Sequence, residues 1–99
     1  MATIKILRTV AGEEIIGEVL SADDDVVMMK NPCQIGLAMN QTGQPSLNMQ
    51  RLLPFSPDTT VAIYKRNLLF IVSVDPKIEM KYNEIFGNII VAQPKIITG

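Results

Sequence analysis

Apolar and polar residues alternate from the start of the chain. Ile4, Ile6 and Val10 recur at period two within residues 3–10, which predicts a strand with one face buried. Gly12 and its acidic neighbours Glu13 and Glu14 turn the chain into a second strand over residues 15–21. Gly17 interrupts that strand, and a glycine inside a strand marks a bend, a bulge or a close backbone approach. Asp23, Asp24 and Asp25 form a tight turn into a third strand over residues 26–30, ending near Asn31 and Pro32. Residues 33–40 continue extended, and the run Gln41, Thr42, Gly43, Gln44, Pro45 is a loop.

Leu47, Met49 and Leu53 next share one strand face, with Asn48 and Gln50 on the other. A Pro-rich break over residues 54–58 leads to a short strand at 61–64 and a polar interruption at Lys65, Arg66 and Asn67. Residues 68–72 are an unbroken apolar run, which predicts a strand covered on both faces. Asp75 followed by Pro76 is a helix start, with Asp at the N-cap and Pro at the first helical position. Ile78, Tyr82, Ile85 and Phe86 then form one apolar stripe of a helix stopping at Gly87. Residues 88–97 read as a last strand or an extended arm. The pattern predicts a mostly β domain, a short-stranded barrel or sandwich with one late helix.

Composition narrows the classes. Ninety-nine residues, 47% of them hydrophobic, make one ordered domain with a small core, so part of the apolar surface is expected between subunits. Ten acidic and nine basic residues leave a net charge of −1, so any contact with a polyanion must come from a local concentration of Lys and Arg. The single thiol, Cys33, permits no internal disulfide and fits a reducing compartment. No signal-peptide pattern or membrane-length apolar run is present, so the expected setting is soluble and intracellular, with no membrane partner.

The chain has no histidine, which removes the commonest general base, the Ser-His and Cys-His pairings and His-based metal sites. No phosphate-binding glycine loop and no zinc-type Cys pair is found, so neither catalysis nor a cofactor is expected. Glu13, Glu14, Glu18, Asp23, Asp24 and Asp25 have the hard oxygen chemistry of a Mg²⁺ site but no ligand-loop spacing, and solvated turn charges are the simpler reading. Cys33 follows a proline among apolar residues, as a buried inert thiol does. Met28, Met29, Met49 and Met80 fit packing positions. Lys65 and Arg66 are two adjacent cations at a hairpin tip between apolar strands. Two readings stand there: an exposed turn that prevents aggregation, or an anion contact.

With these residues in view the pattern resembles the Sm/LSm family, small barrels that assemble into rings and bind RNA. The first Sm motif has a glycine, a second glycine five residues on, a large apolar residue two later and an aspartate four after that. Gly12, Gly17, Val19 and Asp23 fall in those places. The second motif is a strand ending in Ile-Arg-Gly, then polar residues, then an apolar strand, and residues 63–71 have that outline with Tyr64 and Lys65 in place of Arg-Gly. About thirty residues separate the motifs, and the resemblance covers residues 3–74. The Met-Asn that follows the family aspartate is replaced by Val26 and Val27, the first strand begins near Met1 instead of after a helix, and a helix follows the barrel. In these respects the chain is similar to divergent Sm-like proteins encoded by marine and cyanobacterial phages.

The resemblance implies a five-stranded open barrel, a C-terminal helix at about residues 76–86 and an extended tail at 88–99, in one domain spanning 1–99. It implies a homo-oligomeric ring of about five to seven subunits, closed by pairing strand edges. Leu68, Leu69, Phe70, Ile71 and Val72 would form the oligomer interface. The implied ligand is single-stranded nucleic acid, with RNA expected. Tyr64 would offer a stacking face, Lys65 and Arg66 phosphate contacts, and Asn67 a hydrogen bond, while Asp23 orders the neighbouring loop. Val27 in place of the family's Asn implies weak selectivity among bases. The implied location is the cytoplasm of a phage's host. The alternative from another class is a structural or assembly protein, such as a phage accessory subunit, using the barrel for protein contacts only.

Overall fold

Two-residue alternation on β-rich segments builds an antiparallel sheet in the computed structural model, which describes residues 3–86. The strands are β1 (Ile4–Thr9), β2 (Glu14–Ala22), β3 (Val26–Met39), β4 (Pro45–Arg51), β5 (Thr60–Tyr64) and β6 (Leu68–Ser73), followed by helix α1 (Pro76–Phe86). The sheet order is β4-β3-β2-β1-β6, and β5 also pairs with β3. The mostly β class with a C-terminal helix is therefore as expected, and the sheet is not closed. The expected tail at 88–99 and the helix stop at Gly87 lie outside the described residues. No helix among the described residues is long and apolar enough to cross a membrane.

Six strands stand where five were expected. Residues 33–39 pair with β4 and residues 26–30 pair with β5, so both strands lie along the same edge of β3, one after the other. The Pro54 and Pro57 segment breaks what would otherwise run as one strand, because proline brings no ladder donor. The break is held by Arg51, whose Nη2 donates to the Ser56 carbonyl at 3.0 Å. Leu53 falls in this loop and is exposed, so only Leu47 and Met49 share the expected half-buried face of β4.

The third strand does not end at Asn31. It runs on through a bulge, since Ile16 opposes Cys33 while Glu18 opposes Lys30, leaving one extra residue on β3. Asn31 sits there with φ of 50°, a left-handed conformation that asparagine tolerates. The extra residue inverts the facing of the side chains. Val27 and Met29, before the bulge, join a core of Leu7 and Ile15, with Leu52, Ile63 and Leu68 packed around it. Cys33 and Ile35, after it, face the opposite side and meet Ile4, Ile16 and Tyr82.

Helix α1 closes that second side. Asp75 Oδ1 accepts the Lys77 backbone N–H at 2.8 Å, the expected N-cap. Ile78, Tyr82 and Phe86 pack on the sheet, whereas Ile85, placed on the same stripe by its spacing, is half exposed. The Tyr82 ring is buried, with its centroid 4.7 Å from that of Phe86. Its hydroxyl donates to the Asn31 carbonyl at 2.8 Å, with the Lys30 carbonyl at 3.1 Å. The helix thus supplies a donor to the two backbone carbonyls at the bulge.

Gly17 answers to close approach. A Cβ there would lie 2.6 Å from Met29 Cγ and 3.2 Å from the Lys30 carbonyl oxygen, so the Met29 side chain occupies the space a larger residue needs.

Candidate nucleic-acid interface

The turn between β2 and β3 and the turn after β5 come together because Val26 pairs with Tyr64 at the end of the β3–β5 ladder. Asp23 shapes the first turn. Its Oδ1 accepts the backbone N–H of Asp25 and of Val26, both at 2.8 Å. Those two donors, with a smaller contribution from nearby Lys65, hold its carboxyl below the usual aspartate range. The Asp25 carbonyl then accepts the Lys65 backbone N–H at 2.8 Å, which ties the two turns together. Lys65, Arg66 and Asn67 form a single 3-10 turn at a tip between two strands, with Arg66 exposed and Lys65 partly buried.

Tyr64, Lys65 and Arg66 line an open cavity of about 630 Å³, and Asp24 and Asp25 form its other wall. The Arg66 guanidinium lies 5.2 Å from the centroid of the Tyr64 ring, a cation–π pair that holds the ring and the charge together. Tyr64 is half exposed, so its ring is available to a stacking partner. Asn67 is directed elsewhere: it borders a separate cavity of about 410 Å³ with Val10, Ala11 and Ile63, in which Tyr64 is the shared wall. Its carbonyl accepts the Val10 N–H at 2.8 Å, which joins the turn to the end of β1.

The residues expected to work as one group thus divide. Tyr64, Lys65 and Arg66 form one surface, Asp23 shapes the adjacent turn without lining the cavity, and Asn67 opens to the next cavity. Asp24 and Asp25, first read as solvated turn charges, border the same space as the cations. Their place there follows from the Val26–Tyr64 register, which no local pattern announces. Among the described residues no group of three or more His, Cys, Asp or Glu converges as a metal site requires. Of the acidic set, Glu14 is bound to Arg8 at 2.8 Å across the β1–β2 pair. Burial pushes the Cys33 thiol up to about 11, with Arg51 acting weakly against it, so the thiol is an inert core group.

Among the described residues the proposed interface strand is an edge of the sheet. Leu68 turns into the core, while Leu69, Phe70, Ile71 and Val72 are exposed, and β6 stands last in the sheet order with β1 on one side. The run expected to be covered on both faces is therefore partly exposed among the described residues. Two-sided cover requires two neighbours and two overlying layers, and the described residues supply one neighbouring strand.

No protein-family model matches the chain, and no curated protein matches it.

Proposed function

We propose that this chain is an Sm-like subunit that assembles into a homo-oligomeric ring and binds single-stranded nucleic acid, with RNA as the first candidate. The observation that carries the reading is the cavity lined by Tyr64, Lys65 and Arg66: an accessible aromatic ring with two cations beside it, at the tip of a rigid strand pair. Stacking on an aromatic and charge-assisted phosphate contact are the two interactions by which single strands are held. Repetition of the site around a ring would offer one strand several aromatic rings and cations at once, so that contacts weak at a single subunit add up.

Assembly is supported by β6. Four consecutive exposed apolar side chains on what is the sheet edge among the described residues are a liability for a soluble monomer and an asset for a ring, where the edge of one subunit pairs with the edge of the next. The same strand also favours the second reading, an assembly protein whose barrel makes only protein contacts.

The test is fluorescence anisotropy with labelled oligo-U, oligo-A and oligo-dT at low and moderate salt, on protein whose oligomeric state is fixed by light scattering. The expected result is salt-dependent binding by a closed oligomer of about five to seven subunits. Lys65→Ala with Arg66→Ala should weaken binding to every strand and flatten the salt slope by about two per subunit engaged, leaving the oligomer intact. An assembled protein that binds none of the three at low salt favours the assembly reading.

A further inference from the structure

The cavity beside Tyr64 is electrically balanced, and that balance selects a ligand. Asp24 and Asp25 line it together with Lys65 and Arg66, two carboxylates facing two cations. Asp23 is occupied by the turn, accepting two backbone N–H groups, but the side chains of Asp24 and Asp25 take no part in it. Nor are they neutralised by the cations: among the described residues the one ion pair joins Arg8 to Glu14, and Arg66 lies over the Tyr64 ring. All four charges stand exposed or half-exposed around one space with an aromatic wall.

A bare polyanion gains little from such a site, because the carboxylates repel what the cations attract. The matching ligand carries a phosphate for the cations, a flat ring for Tyr64 and hydrogen-bond donors for a carboxylate. We propose that this pocket prefers guanine among the four bases, with the Asp24 or Asp25 carboxylate accepting from its Watson–Crick edge; the inference rests on the nucleic-acid reading above. Guanine presents N1–H and the 2-amino group side by side, two adjacent donors that match the two oxygens of one carboxylate in a charge-assisted pair. Adenine and cytosine each set one amino group beside a ring nitrogen acceptor, which a carboxylate repels. Uracil sets its single N–H between two carbonyls, which is worse. The weak selectivity implied by Val27 concerned an amide that this chain lacks, and the inference replaces it with a carboxylate handle on the neighbouring turn.

The probe is a labelled nine-nucleotide oligo-U carrying one central guanine, hypoxanthine, adenine or uracil, which avoids guanine-tract structures. The guanine strand should bind about tenfold more tightly than plain oligo-U, and hypoxanthine, which lacks the 2-amino group, should fall between them. Asp24→Asn with Asp25→Asn should reduce the guanine preference to less than about twofold. The same change should strengthen binding of plain oligo-U, because two charges that repel phosphate are gone. The single variants assign which carboxylate reads the base. Binding by the wild type without a guanine preference overturns this inference alone. So does a double variant that binds every strand more tightly and keeps the preference. Absence of binding to any of the strands overturns the nucleic-acid reading and this inference with it.

Discussion

Strands β1 and β6 lie side by side in the sheet, paired from Lys5–Ser73 to Thr9–Leu68, yet they live in opposite environments. β1 reads Ile-Lys-Ile-Leu-Arg-Thr, with two charges in six residues, and its Leu7 is fully buried while Ile4 is 7% exposed. β6 reads Leu-Leu-Phe-Ile-Val-Ser, without a charge, and its Leu69 is 61% exposed and its Phe70 43%. The less apolar strand is the core strand. β1 has a strand on each edge, the interior cluster against Leu7 and the helix-side cluster against Ile4 and Ile6. Among the described residues β6 has one neighbouring strand and no overlying layer of its own. Burial follows the number of neighbours, and among the described residues the wholly apolar run is left exposed on an edge.

The sharpest way to break this comparison is to cut into the two clusters that sandwich β1. Leu7→Ala should cost about 2–5 kcal/mol and Tyr82→Ala about 3–5 kcal/mol, read from the denaturant midpoint at unchanged slope. Tyr82→Ala removes the donor to the bulge carbonyls as well as the ring. Losses below about 1 kcal/mol for both would mean that neither side of β1 is closed.

A smaller effect comes from the thiol beside Tyr82. Burial raises Cys33 from its ordinary 9.0 to about 11, so the folded chain holds the thiol proton more tightly than the unfolded one. Its stabilising contribution is complete below pH 9.0 and is lost as pH rises through about 11, a change on the order of 2 kcal/mol. The Tyr82 hydroxyl is displaced upward too, chiefly by its burial, and adds a loss of the same sign at still higher pH. Unfolding curves across this range for the wild type and Cys33→Ala should converge toward alkaline pH. Parallel curves would place Cys33 in contact with solvent.

The smallest effect on the fold, and the most telling, is expected on β6. Leu69→Ser should change the unfolding free energy of the single chain by less than about 0.5 kcal/mol, because the side chain already faces solvent. Light scattering should nevertheless show the proposed oligomer dissociating. If instead the oligomer persists and the chain itself is destabilised by several kcal/mol, β6 is a core strand and the contrast with β1 is wrong.

Some of the molecule was decided along the chain. The Asp75–Pro76 cap starts α1 at Pro76, the period-two segments lie on strands, and Gly17 marks a close approach, because turns, caps and alternation are set by residues a few positions apart. Tyr64, Lys65 and Arg66 were legible as a group for the same reason, being neighbours at one tip. What tertiary structure decided involves partners far apart in sequence. The bulge at Asn31 exchanges the two faces of β3 and is pinned by Tyr82, fifty-one residues away. Ile85, on the same stripe by spacing, stays half exposed while Ile78, Tyr82 and Phe86 pack on the sheet. Asp24 and Asp25 become a wall of the Tyr64 cavity only through the pairing of β3 with β5. An apolar pattern states that a residue must be covered, but which neighbour covers it is settled by how the strands pair.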